Sequence, residues 1–331
     1  MSDLSNAPKT QSEPMIRLLD VTKKYEGTDR EAVAPLSMEI NRGEFVVLVG
    51  PSGCGKTTTL RMINRLVEPS GGEIWIDGQN VTHGDPDDLR RHIGYVIQQV
   101  GLIPHMTIGQ NVGLVPKMLG WDKNKIASRV DELLEIVGLD PEVYRSRYPK
   151  QLSGGQQQRV GVARALAADP PIMLMDEPFG AIDPITRDRL QEEFLRIQAR
   201  IRKTIVFVTH DIDEALRLGD RIAIFAEGSR LAQFASPLEI LTNPVDDFVR
   251  SFIGEGAAIR RLSLLTVGDL KAPNVAPDRA DLIVKPDETV AAVLEKMLAA
   301  GAEHVTVDGG GQMSVQDMLL ASSQQSVRAL R

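Results

Sequence analysis

Short apolar runs alternate with helical patterns through most of the chain. Four such runs cover residues 45–49, 172–175, 205–209 and 221–226. The stretches between them carry apolar residues at helical spacing, and this alternation predicts a parallel sheet flanked by helices. Because ligands of such sheets bind at the carboxyl ends of the strands, we expect the functional site at that edge.

Two other regions have different patterns. Residues 16–21, 32–40 and 73–78 resemble antiparallel strands, and the last of them ends in an Asp-Gly turn at Gly78. From about 106 to 149 the pattern is helical. Its apolar residues recur at helical spacing before a stop at Gly138, and they are Ile126, Val130, Leu133, Leu134 and Val137.

The two ends of the chain differ from this central part. Residues 1–14 are polar, lack the form of a signal peptide, and are predicted to be disordered. A second unit is predicted from Ala257 to the end. It comprises a strand at 281–285, a helix at 289–300, a strand at 304–307, a glycine-rich turn at 308–311 and a helix at 314–321.

The composition narrows the class of protein. Of the 331 residues, 42% are hydrophobic and 25% are charged, which is typical of a globular protein. The net charge of −7 gives no support to nucleic-acid binding. The single cysteine, Cys54, cannot form an internal disulfide, which fits a reducing compartment. No apolar stretch approaches the ~18 residues that a membrane span needs, so any service to a membrane requires a partner.

A phosphate-binding loop follows the first apolar run. Its pattern, G-x-x-x-x-G-K-[ST], comprises Gly50, Pro51, Ser52, Gly53, Cys54, Gly55, Lys56 and Thr57, with Thr58 next along the helix. Glycines let consecutive backbone N–H groups point at phosphate oxygens. Lys56 is predicted to contact the β- and γ-phosphates, and the hydroxyl of Thr57 to bind Mg²⁺. A chance glycine-rich turn is the alternative, but the strand before the loop and the helix predicted after it, from Thr57 to about Val67, favour binding of ATP with Mg²⁺.

A second motif, LSGGQ, comes later in the chain. It comprises Leu152, Ser153, Gly154, Gly155 and Gln156. With the phosphate loop it resembles the ATP-binding cassette (ABC) family. The resemblance implies an α/β fold of the P-loop NTPase type, with a parallel core sheet, an antiparallel β subdomain and a helical subdomain. It also implies a head-to-tail homodimer, in which each signature closes over the γ-phosphate held by the partner's phosphate loop.

The same resemblance assigns roles at the strand ends. Asp176 would hold Mg²⁺ and Glu177 would act as the catalytic base on the attacking water. Gln98 matches the Q-loop glutamine, which reaches the metal and the water, although the neighbouring Gln99 leaves the choice open. His210 matches the switch histidine that contacts the γ-phosphate. Each of these residues could instead be structural, and it is their joint presence after LSGGQ that favours catalysis.

Two further residues match the family pattern less specifically. Asp183 corresponds to the D-loop at the dimer interface. Tyr25 lies where the family has an aromatic residue that stacks on adenine, although a partly buried strand tyrosine would give the same sequence.

The number and spacing of the motifs indicate which kind of ABC protein this is. The chain has one phosphate loop, a short interval between Lys56 and Ser153, and no fused membrane domain. It is similar to ATPase subunits of binding-protein-dependent importers, most of all to those for quaternary-amine osmoprotectants such as glycine betaine, choline, carnitine or proline. Residues 93–107, 190–198 and 209–220 carry this likeness. An importer for another small solute, or a non-transport switch ATPase, stays open.

The resemblance also implies partners and a location. Membrane permease subunits would dock on residues 106–149 and nearby, and a solute-binding protein would act indirectly. Apolar candidates for this contact are Leu102, Ile103, Met106 and Leu119, although each could equally pack the interior of the helical region. The protein would then lie on the cytoplasmic face of the inner (plasma) membrane.

The tail resembles a single copy of a CBS domain. We therefore expect a nucleotide-binding domain at 15–256 and a small α+β regulatory domain at 257–331. Ser314 and Asp317 have the spacing of a CBS nucleotide contact, but the same spacing also forms a helix-capping box. Capping needs no ligand and is the favoured interpretation.

Overall fold

The computed structural model describes residues 13–97, 101–180, 182–270 and 282–324. The chain divides into two compact units, the first ending at Phe234 and the second starting at Ala235. The division falls upstream of the boundary predicted at Ala257. Its cause lies in the second unit, where Leu238 and Leu262 pack against the apolar core of the tail. The predicted disorder of residues 1–14 falls almost wholly outside the described residues.

Within the described residues, the strands are β1 (Ile16–Lys24), β2 (Glu31–Ile40), β3 (Phe45–Val49), β4 (Gly71–Ile76), β5 (Gln79–Asn80), β6 (Ile93–Val96), β7 (Ile172–Asp176), β8 (Thr204–Val208), β9 (Arg221–Ala226), β10 (Arg230–Ala235), β11 (Ile283–Val284), β12 (His304–Val307) and β13 (Gln312–Ser314). The helices are α1 (Lys56–Ile63), α2 (Pro86–Arg91), α3 (Ile108–Val112), α4 (Leu114–Met118), α5 (Lys123–Ile136), α6 (Pro141–Tyr144), α7 (Gly154–Leu166), α8 (Pro184–Ile201), α9 (Ile212–Leu218), α10 (Pro237–Thr242), α11 (Asp247–Ile253), α12 (Ala257–Leu264), α13 (Val290–Ala300) and α14 (Val315–Gln324).

The predicted parallel sheet forms the centre of the first unit. Its strand order is β10-β9-β3-β8-β7-β6, and the pairs from β9 to β6 are parallel. All residues of β3, β7 and β8 are buried, as expected for strands covered on both faces. Strands β6 and β10 extend this sheet beyond the four apolar runs that predicted it. The order brings the carboxyl ends of β6, β7, β8 and β3 together at one edge.

The helix after the phosphate loop is shorter than its apolar pattern suggests. The pattern continues to about residue 67, whereas α1 ends at Ile63. Arg65 has a φ of 48°, in the left-handed region, which an α-helix cannot include. Its guanidinium donates to the carbonyl oxygen of Val81 and pairs with Glu68, and these contacts hold the turn.

An antiparallel sheet of order β2-β1-β4-β5 covers part of the first unit. The Asp-Gly turn predicted after β4 is confirmed, with φ of 50° at Asp77 and 73° at Gly78, the combination that tight hairpins favour. Strand β1 runs on to Lys24, and shifts in its register follow Leu18 and Val21. Such bulges add residues that a strict alternation pattern does not show.

The helical region between β6 and β7 contains α3 to α7. Helix α5 buries Val130, Leu133 and Leu134, which confirms the helical spacing there. The stop predicted at Gly138 is also confirmed, because its φ of 69° is left-handed.

The second unit contains a three-stranded sheet of order β11-β12-β13. Strands β11 and β12 are parallel, and β12 and β13 are antiparallel. Helix α13 begins after its cap Thr289, as the pattern predicted. Strand β13 was not predicted, and Ser314 ends it instead of opening the last helix. A run of three residues after a glycine turn is too short to show a period.

None of the helices in the described residues is both long enough and apolar enough to cross a bilayer.

Candidate functional site

The phosphate loop is tightly packed between β3 and α1. A Cβ added at Gly50 would lie 2.3 Å from the carbonyl oxygen of Phe225, and one at Gly55 would lie 2.6 Å from that of Ala32. Both glycines also have positive φ, 153° and 89°. Larger residues would clash with backbone at both positions, so the loop depends on glycine for its close approach to neighbouring strands.

The amine of Lys56 lies inside this loop. The side chain is 6% exposed, and its Nζ donates to the carbonyl oxygens of Gly50, at 2.7 Å, and Pro51, at 2.9 Å. The sulfur of Cys54 is 3.6 Å away. Burial raises the pKa of the Cys54 thiol, although the Lys56 charge opposes this, so the thiol is protonated at neutral pH. Cys54 thus packs as a small apolar residue.

Thr57 and Asp176 form a polar pair beside the loop. The Thr57 hydroxyl donates a 2.8 Å hydrogen bond to Oδ1 of Asp176, and Arg61 lies 3.8 Å from Oδ2. Burial raises the pKa of Asp176, while the Thr57 hydrogen bond and the Arg61 charge lower it. Hydroxyl and carboxylate oxygens are ligands that Mg²⁺ prefers when it also binds phosphates. Of the residues predicted to hold the metal, Thr57 and Asp176 thus have side chains whose chemistry fits it. Arg61 was missed, although its position one helical turn after Thr57 placed it on the same helix face.

Glu177 and His210 meet at the ends of neighbouring strands β7 and β8. Oε2 of Glu177 lies 3.4 Å from Nδ1 of His210. The backbone N–H of Glu177 donates to the carbonyl oxygen of Val208, and its φ of 43° is left-handed. A non-glycine residue in this region costs of order 1–3 kcal/mol and persists only where surrounding contacts hold it. The backbone is thus held in a strained form at the residue predicted to be the base.

The signature segment forms the start of a helix. Ser153 caps α7, where its hydroxyl accepts from the N–H of Gln156, whose Oε1 in turn accepts from the Ser153 N–H. Ser153 and Gly154 are exposed, and a Cβ at Gly154 would meet nothing within 4 Å. This helix start is therefore open on its outer side.

Asp183 and Tyr25 lie outside the phosphate loop. Asp183 caps α8 by accepting from the N–H of Thr186 at 3.0 Å, and the hydrogen bonds from Thr186 lower the pKa of its exposed carboxyl. Tyr25 follows β1 with 43% exposure, and the amine of Lys23 lies 5.0 Å from its ring centroid. A ring this exposed has a face available for stacking.

The Q-loop candidates Gln98 and Gln99 lie outside the described residues. The segment resumes at Gly101, whose carbonyl oxygen accepts a 2.7 Å hydrogen bond from Arg164 of α7. The end of this segment is thus tied to the signature helix.

A groove of about 1060 Å³ opens among α3, α4, α5 and α6. Of the four apolar residues predicted for partner contact, Met106 lines this groove, whereas Leu102, Ile103 and Leu119 do not. The buried Asn111 explains part of this, because its side chain bonds both the N–H and the carbonyl of Ile103 and fixes that loop. The groove also includes Trp121, which the sequence did not single out.

Comparison with known proteins agrees with this geometry. The family model described as ABC transporter matches residues 33–180, from β2 through the phosphate loop and signature to the acidic end of β7. The dimeric structure of the ATP-binding cassette MJ0796 with ADP and phosphate matches with a TM-score of 0.60 and 37% identity. That match covers 67% of this chain and 99% of that one. The chain belongs to the ATP-binding subunits of ABC transporters.

Relatives narrow the group further. The glycine betaine/carnitine/choline transport ATP-binding protein OpuCA of Bacillus subtilis is 53% identical over 283 residues, covering 86% of this chain and 72% of OpuCA. The glycine betaine uptake system ATP-binding protein YehX of Escherichia coli is 45% identical over 313 residues, covering 92% of this chain and 99% of YehX. Within the ABC family, the chain is therefore grouped with the ATP-binding subunits of osmoprotectant import systems.

Proposed function

We propose that the protein is the ATP-hydrolysing subunit of a binding-protein-dependent importer for a quaternary-amine osmoprotectant, such as glycine betaine, choline, carnitine or proline. The observation that carries ATP hydrolysis is the meeting of Glu177 and His210, 3.4 Å apart, beside the Thr57–Asp176 pair. The choice of solute rests on the relatives, whose names state glycine betaine, carnitine and choline.

The side chains have distinct tasks in hydrolysis. Lys56 neutralises negative charge on the phosphates. To do so, its amine gives up its hydrogen bonds to the carbonyl oxygens of Gly50 and Pro51 and donates to phosphate oxygens instead. Thr57 and Asp176 would hold Mg²⁺, which would neutralise charge on the phosphates. Glu177 orients the attacking water and accepts its proton, and His210 contacts the γ-phosphate. Gln98 would complete the metal and water contacts. Tyr25 stacks on the adenine.

The dimer follows from the open signature. Ser153 and Gly154 are exposed at the start of a helix, where backbone N–H groups and the helix dipole favour an anion. A partner's nucleotide can therefore approach this surface, with Asp183 at the same interface. Support comes from the cassette MJ0796, which is described as dimeric. Two chains packed head to tail would then share two sites.

The groove among α3 to α6 would receive a cytoplasmic helix of the permease. Its lining includes apolar Met106, Trp121 and Ile126 and charged Lys117 and Glu142. An amphipathic helix is the partner that such a groove fits. Docking there would hold the protein at the cytoplasmic face of the membrane, while a solute-binding protein acts on the permease from the other side.

The second unit would regulate transport as a single CBS-like module, with catalysis left to the first unit. Its Ser314 accepts from the N–H of Asp317 and donates to Oδ2 of the same residue. These mutual bonds support the capping interpretation over a nucleotide contact, because a ligand would have to break them.

The experiment combines hydrolysis with transport. Membrane vesicles containing this chain, an osmoprotectant permease and its solute-binding protein are supplied with MgATP on the side of this chain and with labelled glycine betaine, choline, carnitine or proline on the other. We expect uptake of at least one solute, and loss of both uptake and hydrolysis in Glu177→Gln. This variant should still bind MgATP and form a stable dimer on size exclusion. Hydrolysis without uptake of any of these solutes would contradict the osmoprotectant assignment, and full hydrolysis by Glu177→Gln would contradict the catalytic one.

A further inference from the structure

Arg187 lies in the first turn of α8 and contacts two functional segments at once. Its Nη2 donates a 3.0 Å hydrogen bond to the carbonyl oxygen of Ile182, immediately before Asp183. Its Nη1 lies 3.8 Å from Oδ2 of Asp211, immediately after His210. The guanidinium therefore bridges the D-loop and the switch segment.

Asp211 is suited to transmit a displacement of Arg187. Its other oxygen, Oδ1, caps α9 by accepting from the N–H groups of Asp213 and Glu214. The N–H of Asp211 donates to the hydroxyl of Thr209. Since Thr209 and Asp211 flank His210 on both sides, a shift of Asp211 shifts the backbone that carries the imidazole.

A second bridge lies one helical turn further along α8. Nε2 of Gln191 donates a 2.9 Å hydrogen bond to Oε1 of Glu214 on α9. Both side chains are buried, with 4% and 7% exposure. Burial raises the pKa of Glu214, while hydrogen bonds from Thr209 and Gln191 lower it. A buried polar pair of this kind is costly unless satisfied, so it holds its partners in a defined geometry.

Residues of both bridges line the same small cavity as the predicted catalytic pair. Glu177, Arg187, Thr209, His210, Asp211 and Glu214 line one small cavity of about 10 Å³. Arg187, Asp211 and Glu214 thus lie beside Glu177 and His210, so a displacement of the bridges changes the surroundings of the predicted catalytic pair.

We propose that Arg187, Gln191, Asp211 and Glu214 form a positioning cluster that makes the D-loop and the switch segment move as one body. Resting on the proposed dimeric ATPase, this cluster transmits contact at Asp183 to His210 and Glu177. None of its four members needs to touch the nucleotide. Their effect is on the placement of His210 against Glu177, so hydrolysis depends on them while nucleotide binding does not.

The test uses the full chain with charge-removing variants of one bridge. Arg187→Gln and Asp211→Asn remove the ion pair, and asparagine keeps an oxygen that can cap α9. We expect each to lower kcat by about ten- to a hundred-fold with KM for ATP nearly unchanged, as for small misplacements of reacting groups. The double variant should be no worse than the poorer single one, because both break the same bridge. Arg187→Lys should restore part of the rate.

The matched control is Arg189→Gln, an exposed arginine on the same helix. It should leave kcat and thermal stability near those of the original protein. Gln191→Met tests the second bridge, because it removes the donor to Glu214 with a side chain of similar size. It also serves as the test if Arg187→Gln fails to fold. A kcat within about two-fold of the original in folded Arg187→Gln and Gln191→Met would overturn the proposal. A loss of kcat that is explained entirely by a lower unfolding temperature would overturn it as well.

A further measurement distinguishes failure of the positioning cluster from failure of the proposed dimeric ATPase. Each variant is combined with Glu177→Gln and its ATP-dependent dimer is measured by size exclusion. If Glu177→Gln alone forms no dimer, the proposed dimeric site is wrong. If it does, and the added Arg187→Gln leaves the dimer intact while lowering kcat by about ten- to a hundred-fold in the active background, the positioning cluster is supported.

Discussion

The hydroxyl of Thr57 donates a 2.8 Å hydrogen bond to the carboxylate of Asp176, although 119 positions separate the two residues. Thr57 lies at the start of α1, and α1 contacts β7, which ends at Asp176. One side-chain contact thus joins the phosphate loop to the acidic strand end. The contact stabilises the fold and also places two predicted metal ligands together.

Replacing Thr57 separates these two effects. Thr57→Val removes the donor and leaves a buried carboxylate without it, at a cost of about 1–3 kcal/mol in the free energy of unfolding. Thr57→Ser keeps the hydroxyl and should lose little. Urea unfolding without nucleotide measures the first effect, and hydrolysis against Mg²⁺ concentration measures the second. Equal behaviour of the valine and serine variants in both assays would contradict the assignment.

Asp176→Asn should make the protein more stable at neutral pH in the absence of nucleotide, while abolishing hydrolysis. Burial raises the pKa of Asp176 in the folded state, so the folded protein holds this proton more tightly than the unfolded chain does. At a pH above the raised pKa, the ionised carboxylate therefore lowers stability, and asparagine avoids this cost.

The advantage of Asp176→Asn should shrink as the pH falls through the raised pKa and vanish below the pKa of the unfolded chain. Melting temperatures of both proteins across this range check it. A difference that does not change with pH would show that the carboxylate carries no such penalty.

Mixing two inactive chains tests the shared site. Ser153→Arg obstructs only the partner's γ-phosphate, so the variant should bind ATP but not hydrolyse it. Lys56→Ala should weaken phosphate binding in its own loop. A heterodimer of the two has one intact site, built from the loop of one chain and the signature of the other. Hydrolysis should therefore reappear on mixing. No activity at any ratio would mean that the sites are not shared or must act together.

Two adjacent residues of α13 test whether the second unit is separate from catalysis. Met297 is 1% exposed and Leu298 is 82% exposed. Met297→Asp should destabilise the second unit by about 4 kcal/mol or more, as a charge in an apolar core does. Leu298→Asp should change stability little.

Limited proteolysis of the tail and ATP hydrolysis by the purified subunit measure the outcome of both substitutions. We expect Met297→Asp to expose the tail to protease while hydrolysis stays within a few-fold of normal. Loss of hydrolysis together with tail unfolding, but not in Leu298→Asp, would show that the second unit is needed for catalysis.

Local patterns sufficed for much of the first unit. The phosphate loop, the four apolar strands and the Asp77-Gly78 turn depend on neighbouring residues, so a short window of sequence reveals them. The helix stop at Gly138 is also a local feature, because one glycine with positive φ ends the helix.

Other features depend on contacts that a short window of sequence does not reveal. The end of α1 was overestimated because Arg65 adopts its left-handed turn through contacts with Glu68 and Val81. Strand β13 has only three residues, and its pairing with β12 defines it. The start of the second unit at Ala235 reflects the packing of Leu238 on a core more than twenty positions later.

The sequence by itself predicted which residues carry phosphate chemistry, because a phosphate loop requires glycine, lysine and hydroxyl side chains at short, fixed spacing. Only the tertiary structure decided how they meet. The strand order places β8 beside β7, and so brings Glu177 to His210. It also sets Arg187 between Ile182 and Asp211, a contact that no spacing indicates. The physical reason is that hydrogen bonds and ion pairs act over a few ångströms, and folding alone determines which distant residues come within that range.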